Sequence, residues 1–304
     1  MEKLESIQEE EYRGWLFLAF VSVFVLAFFK PLRDLVLISF HSDTFSYIPF
    51  IPIISAYLFH VDRRHIFSQK KSYSAAGLIP ISIGILVLLI VGKRTASPDH
   101  FGYLSIAAIS MLLIWIGGFT LCYGIKSLRA AAFALLFLFF MVPIPTNVLD
   151  KFILVLQTAS AEAAYGFLKA MGVPVVKDGF VFHLPSLNIE VAKECSGIRS
   201  ALSLVITGLV AGKLFLRTRW ARTLLVIAIV PITILKNGFR IAVLSVLGVY
   251  VDKRILGSEL HRNGGVLFFI LALLLVWWVI ALLGKAERNL KLNREGAARE
   301  LRIK

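Results

Sequence analysis

One cysteine stands in a setting that suits nucleophilic chemistry. Cys195 lies in the segment Glu194-Cys195-Ser196-Gly197-Ile198-Arg199-Ser200, directly before the apolar run 201–211. A helix that begins here would point its free backbone N–H groups and its dipole at the cysteine, which favours the reactive thiolate. The carboxylate of Glu194 acts in the opposite direction. Because a lone cysteine in an apolar helix is more often a small buried hydrophobe, the other polar residues must decide between the two interpretations.

Three basic residues fall inside predicted membrane spans, where a charge is costly and usually marks function. They are Arg199, Lys236 and Arg240. Arg240 shares a helix face with Asn237, three residues earlier, and Arg199 shares one with Cys195, four residues earlier. Taken alone, Arg240 is equally well explained as a structural tie between helices.

A histidine adds a possible general acid and base. His261 directly precedes the last apolar span. Cysteine proteolysis needs a base that takes the thiol proton and later protonates the leaving amine, and histidine has a suitable pKa. A buried arginine can hold the thiolate or stabilise the oxyanion. A lone loop histidine is usually only solvated, but Cys195, Arg240 and His261 come from three successive predicted spans, which favours a cysteine enzyme.

The composition indicates a polytopic membrane protein. Of the 304 residues, 58% are hydrophobic, and the mean hydropathy is +0.80. The two cysteines, Cys122 and Cys195, have no paired spacing, so we expect no disulfide, no metal site and no cofactor. Several stretches reach the roughly 20 apolar residues that cross a bilayer, and we predict an all-α fold of about eight membrane helices. They lie near 14–29, 45–60, 74–92, 102–122, 128–148, 197–213, 222–250 and 264–284.

The net charge of +14 reflects how basic residues are distributed among the loops rather than nucleic-acid binding. The side with more Lys and Arg holds loops 61–72, 123–129 and 213–222 and the tail 285–304. The positive-inside rule therefore predicts a multi-pass protein of the inner (plasma) membrane with both termini in the cytoplasm. Segments 149–195 and 251–263 would face the extracytoplasmic side, which brings Cys195 and His261 to the same face.

The segment that precedes Cys195 is predicted to form a helix and a small sheet. Residues 150–171 read as one helix whose small side chains give it a smooth face for close packing. The pair Asp178-Gly179 between β-rich runs predicts a hairpin, and 187–192 would add a third strand. Such a sheet would lie beside Cys195, where it could hold an extended peptide by strand addition.

Six short motifs in a fixed order carry a resemblance. They are Val142-Pro143-Ile144-Pro145, Leu156-Gln157-Thr158-Ala159-Ser160, Gly172-Val173-Pro174-Val175, Glu194-Cys195-Ser196-Gly197-Ile198-Arg199, Asn237-Gly238-Phe239-Arg240 and His261-Arg262-Asn263-Gly264-Gly265. Together they resemble the exosortase/archaeosortase family of membrane transpeptidase-like cysteine proteases, and the N-terminal half matches only as hydrophobic spans. We expect one integral membrane domain, 1–304, with a catalytic core near 142–284 and a cytoplasmic basic tail, 285–304.

The resemblance implies a role for each residue of the set. Cys195 would be the nucleophile, His261 the general acid and base, and Arg240 the third active-site residue. Supporting or substrate-binding roles would fall to Glu194, Ser196, Gly197, Arg199 and Asn237. The implied substrates are secreted proteins that end in a short motif such as Pro-Glu-Pro, a membrane helix and a basic cluster. Cleavage through a Cys thioester would pass the new C-terminus to water, a lipid or a glycan.

Two functions of other classes stay open at this point. A multi-pass transporter would line a polar path with Arg199, Lys236 and Arg240, although the broken or repeated helices typical of transporters are not found in the sequence. A membrane assembly factor for polysaccharide export would not need the cysteine. The expected partners of the enzyme are secreted proteins with a sorting signal and membrane lipids, and no nucleic acid.

Overall fold

The structure is a computed structural model that describes residues 2–68, 74–92, 100–252 and 265–303. Helices dominate it, and the one small sheet of the described residues follows the sixth helix. This confirms the all-α polytopic fold class and the helix-plus-hairpin segment near 150–195. The helices are α1 (Glu2–Ala27), α2 (Phe29–His41), α3 (Phe50–Phe67), α4 (Leu78–Gly92), α5 (His100–Phe137), α6 (Thr146–Ala170), α7 (Ile198–Phe215), α8 (Arg219–Tyr250) and α9 (Gly265–Ile303). The strands are β1 (Val176–Asp178), β2 (Val181–Leu184) and β3 (Leu187–Glu190).

The chain divides into two compact units, Met1–Leu149 and Asp150–Lys304. The first contains α1 to α5, and the second contains nearly all of α6, the sheet and α7 to α9. All the candidate site residues belong to the second unit. The single membrane domain expected from the sequence stays a prediction.

Helix α5 is a hairpin of two helices. Gly124 has φ 83° and ψ 170°, a non-helical conformation that glycine adopts readily. The Ser105 hydroxyl donates a hydrogen bond to the Pro143 carbonyl oxygen at 2.6 Å across 38 residues. A straight helix would separate these residues by about 57 Å. The chain therefore reverses near Gly124, which agrees with the two separate spans expected at 102–122 and 128–148.

Five described helices are long and apolar enough to cross a membrane, or six if the bent pair near the N-terminus is one span. That pair, Gly14–Ala27 and Phe29–His41, bends by 65°. The count takes the α5 hairpin as one span and leaves out the shorter apolar helix Ala75–Ile90. The bent pair, the α5 hairpin and the shorter helix together account for the difference from the eight or so spans expected by length.

The last helix presents an apolar surface that needs lipid. Leu274, Trp277 and Trp278 are 60%, 57% and 61% exposed. Soluble proteins rarely expose large contiguous apolar patches to water. The helix continues to Ile303, so the described part of the basic tail is a helical extension of this span.

The sheet is antiparallel in the order β1-β2-β3. Two-residue connections join its strands, since Asp178 pairs with Val181 and Leu184 pairs with Leu187. Gly179 opens the first connection with φ 56°, as the Asp-Gly signal predicts. The third strand ends at Glu190, two residues before the expected end.

The smooth face of α6 forms much of the core of the second unit. Its buried residues repeat every three or four positions: Gln157, Ser160, Ala161, Ala164 and Leu168. A Cβ on Gly238 of α8 would lie 2.6 Å from Cβ of Ala163, so α6 and α8 cross too closely for any larger residue there. Small residues permit such close crossings. Phe182 and Val191 complete this core, and Cys195 packs against it.

Glu287 of α9 caps the start of α8. The N-cap residue Thr218 makes no side-chain capping bond to its own helix. Instead, Oε1 of Glu287 accepts hydrogen bonds from the Thr218 amide at 2.7 Å and from the Thr218 hydroxyl. Oε2 accepts one from the Arg217 amide at 3.2 Å. A carboxylate at this end also interacts favourably with the helix dipole, so the contact ties α8 to α9.

Replacing Glu287 with glutamine is expected to lower the free energy of unfolding by about 1–2 kcal/mol, because hydrogen bonds to a charged acceptor are the stronger ones. Thermal unfolding of the purified protein in detergent measures this. Glu295→Gln is the matched control, since Glu295 pairs with the exposed Lys291 at 3.7 Å. Such a pair contributes less than about 1 kcal/mol. Equal unfolding temperatures for the two variants would contradict the capping role.

Candidate active site

Cys195 lies in a single 3₁₀ turn, Lys193–Ser196, which leads into α7. Its amide donates to the Ala192 carbonyl oxygen at 2.9 Å, which fixes the turn. Gly197 follows in the left-handed conformation, with φ 78° and ψ 14°, and α7 begins at Ile198. The cysteine is therefore placed directly before a membrane helix, as the sequence predicts.

Gly197 is required at this position for two reasons. Its positive φ is strained for any residue with a Cβ. A Cβ would also lie 2.8 Å from Cγ and 2.9 Å from Oδ1 of Asn237, which is buried in α8. Only glycine lets the turn that carries Cys195 lie directly on the Asn237 side chain.

Asn237 holds the backbone of the candidate nucleophile. Its Nδ2 donates to the Cys195 carbonyl oxygen at 2.7 Å across 42 residues. The side chain is 1% exposed, so this bond is protected from water. Among the described residues, Oδ1 of Asn237 and the buried hydroxyl of Ser196 have no hydrogen-bond partner. The geometry gives Asn237 a positioning role toward the cysteine.

A second contact from α8 holds the same turn. The buried Lys236 donates from Nζ to the Ser200 hydroxyl. That hydroxyl donates to the Gly197 carbonyl oxygen at 2.9 Å. Two successive residues of α8 therefore hold the turn and the first residues of α7. The sequence shows Lys236 as a basic residue inside a span, but it does not indicate that Ser200 is its partner.

Cys195 and Arg240 line one cavity of about 40 Å³. Since about 10–15 Å³ of such volume is enough for one water molecule, the cavity has room for a few waters or one small group. The other residues that line it are Ile189, Glu190, Val191, Asn237, Ile241, Leu244 and Ser245.

Arg240 also reaches the start of α9. A Cβ built on Gly265 would lie 3.7 Å from Nη1 and 3.8 Å from Cζ of Arg240. The guanidinium therefore lies between the cavity with Cys195 and the first residue of α9. A Cβ at position 265 would make ordinary van der Waals contact with this planar group.

The remaining site residues predicted from the sequence lie apart from this cavity or outside the described residues. Glu194 is exposed in the 3₁₀ turn, and Arg199 is exposed in the first turn of α7; neither lines the cavity. Ser196 is fully buried beside Cys195. His261, with the rest of its motif as far as Gly264, lies outside the described residues.

Sequence reasoning missed most of the cavity wall. On α8, Ile241, Leu244 and Ser245 follow Asn237 at helical spacing, so they share its face of the helix. This spacing was the signal in the sequence that could have identified them as lining residues. On β3 the cavity is lined by Ile189 and Glu190, and the only available signal was the predicted third strand.

The comparison with protein families gives a match to a membrane family. The family model described as transmembrane exosortase matches residues 36–278, which include α7, α8 and all the residues that line the cavity. Comparisons with curated proteins and with solved structures give no match. The match covers most of the chain. It includes the six motifs found in the sequence and the predicted N-terminal spans from residue 45 onward. The chain belongs to the transmembrane exosortase family.

Proposed function

We propose that this chain is a membrane-embedded cysteine peptidase or transpeptidase in which Cys195 is the nucleophile. One observation carries the proposal: Cys195 and Arg240, which come from different elements, line the same small cavity. A cation beside a cysteine favours the thiolate, which is the nucleophilic form. A guanidinium in a partly buried site also stabilises the oxyanion of a tetrahedral intermediate.

The reaction is acyl transfer. The Cys195 sulfur attacks the carbonyl carbon of the substrate peptide bond, an S–C bond forms, and Arg240 stabilises the negative charge on the oxygen. The C–N bond then breaks, and the leaving amine takes the proton that the thiol lost. A water, hydroxyl or amine finally attacks the thioester and releases the free thiol.

His261 is the proposed carrier of that proton. Histidine suits the role because its pKa is near neutral. His261 directly precedes the last span in the sequence, four residues before Gly265. The guanidinium of Arg240 lies against Gly265, the first residue of α9.

The proposed substrates are secreted proteins that end in a short motif, a membrane helix and a basic cluster. Their helix would dock laterally against the spans, which brings the motif beside the helix to Cys195. The proposed orientation in the inner membrane has both termini in the cytoplasm and the site on the extracytoplasmic side. A lipid or glycan would be the acceptor in a transpeptidase, and water in a peptidase.

Trapping the thioester tests this function. The chain is co-expressed with a secreted reporter from the same genome that carries such a C-terminal signal. We expect a covalent complex between the chain and the N-terminal reporter fragment, mapped to Cys195 by mass spectrometry and cleaved by neutral hydroxylamine. Processing of the reporter without any hydroxylamine-sensitive complex, or a complex at another residue, would contradict the proposal. No processing of any such reporter would favour a transporter or an assembly factor.

A further inference from the structure

The third strand forms an outer edge of the sheet, and its backbone pattern is set by the register. The Val191 amide donates to the Phe180 carbonyl oxygen at 2.9 Å. In an antiparallel pair, residues alternate between those bonded to the neighbouring strand and those that face away from it. Ile189 and Leu187 lie two and four residues before Val191, so their backbone groups also face β2.

The alternate residues of β3 present their backbone groups at the open edge. Asn188 and Glu190 pair with His183 and Val181 at positions that are not hydrogen-bonded to β2. Both residues are exposed. The carbonyl oxygen of Glu190 accepts a bond from the Ala192 amide at 3.1 Å. The outward groups are thus the amides of Asn188 and Glu190 and the carbonyl oxygen of Asn188.

This edge leads directly to the cysteine. Ile189 and Glu190 line the cavity that contains Cys195 and Arg240. That cavity, at about 40 Å³, has room for a few water molecules and not for a peptide segment of several residues. A substrate whose scissile carbonyl reaches Cys195 must therefore extend away from the cavity over its surroundings. Within the part of the chain that the structure describes, the outward amides of β3 donate to no other backbone group, so this edge offers donors along one such direction.

We propose that an extended segment of the substrate, adjacent to its scissile bond, binds as an added strand along the outer edge of β3. The proposal rests on the peptidase function proposed above. The occupant is a polypeptide backbone, because two amide donors two residues apart with a carbonyl acceptor between them match an extended chain and carry little sequence preference. The Asn188 and Glu190 side chains and the cavity beside Cys195 then select the residues of the motif.

The opposite edge of the sheet is a natural control. Strand β1 does not line the cavity, and its Lys177 pairs with Glu162 of α6. Because Asp178 and Val181 flank a two-residue connection, the amide of Lys177 faces away from β2. A proline at position 177 therefore removes an outward amide at the edge far from the cysteine.

Proline substitutions test the proposal, because proline removes an outward donor and leaves the β2–β3 bonds in place. We expect Asn188→Pro and Glu190→Pro each to lower kcat/KM for the reporter by about ten-fold relative to Asn188→Ala and Glu190→Ala, which keep the amide. Lys177→Pro should process the reporter as fast as Lys177→Ala. Alkylation of Cys195 and the unfolding temperature check that each variant is folded.

A substrate-side measurement keeps the test independent of how the proline variants fold. A synthetic peptide with the sequence of the reporter motif should compete with processing, and the same peptide N-methylated at alternate residues should compete about ten-fold less well in one of the two registers. Equal competition by the peptides methylated in the two registers would overturn strand addition. Proline variants that match their alanine partners would do the same, and if processing still depends on Cys195 the proposed function would stand. Loss of the Cys195 dependence would instead overturn the proposed function.

Discussion

Replacing Cys195 with alanine is expected to abolish reporter processing, with a loss of at least about a thousand-fold in kcat/KM. Removal of a catalytic nucleophile usually has an effect of this size or larger, because the remaining groups cannot form the covalent intermediate. The change removes one sulfur atom and leaves the backbone contacts of residue 195 to Ala192 and Asn237 unchanged. The unfolding temperature should therefore change little. Immunoblots of the reporter and the rate of cleavage in proteoliposomes measure the effect.

Cys122→Ala is the matched control for this variant. Cys122 is the other cysteine of the chain, and it is half-buried like Cys195. It belongs to the first unit and is not one of the residues that line the cavity. We expect this variant to process the reporter at the rate of the unaltered chain. Normal processing by Cys195→Ala, or an equal loss in both variants, would show that Cys195 is not the nucleophile.

The second large effect is expected for Arg240→Lys, which should lower kcat/KM by about 10²–10³-fold. Loss of one oxyanion donor typically costs this much. Lysine keeps the positive charge, but it has a compact ammonium in place of the planar fork that can contact two atoms at once. The substitution also withdraws the group that lies against Gly265. Single-turnover cleavage of the reporter separates this effect on the chemical step from an effect on substrate binding.

Arg222→Lys on the same helix serves as the control for Arg240→Lys. Arg222 also uses its fork, since Nε and Nη2 both donate to the Leu216 carbonyl oxygen, at 3.0 and 2.7 Å. It does not line the cavity. We expect Arg222→Lys to lower the unfolding temperature while the cleavage rate of the folded protein stays the same. Undiminished cleavage by Arg240→Lys would rule out a forked contact in the reaction.

Features that depend on neighbouring residues were predictable from the sequence. The Asp178-Gly179 signal placed the first hairpin correctly, because the positive φ of Gly179 is a property of that residue and its turn. The two spans on either side of Gly124 were expected separately, and the structure separates them at that glycine. Apolar periodicity and turn residues act over a few positions, so both can be read without knowing the fold.

The packing partners of these elements were not predictable in the same way. The sequence indicated that one face of α6 is smooth, but not that Ala163 meets Gly238 of α8. Glu287 falls in the segment expected as a basic tail, and the sequence did not indicate that it caps α8 through Thr218. Each of these contacts depends on the relative placement of two helices, which the sequence of either helix alone does not specify.

The same distinction between local properties and contacts between elements applies to the candidate site. The sequence by itself determined the membrane character, the residue types suited to cysteine chemistry and the start of a helix after Cys195, because hydrophobicity, charge and capping are local properties. Only the tertiary structure decided that Asn237 holds the Cys195 backbone, that Arg240 shares its cavity, and that the edge of β3 leads to it. The physical reason is that these contacts join residues tens of positions apart, and side-chain packing between elements sets their distances.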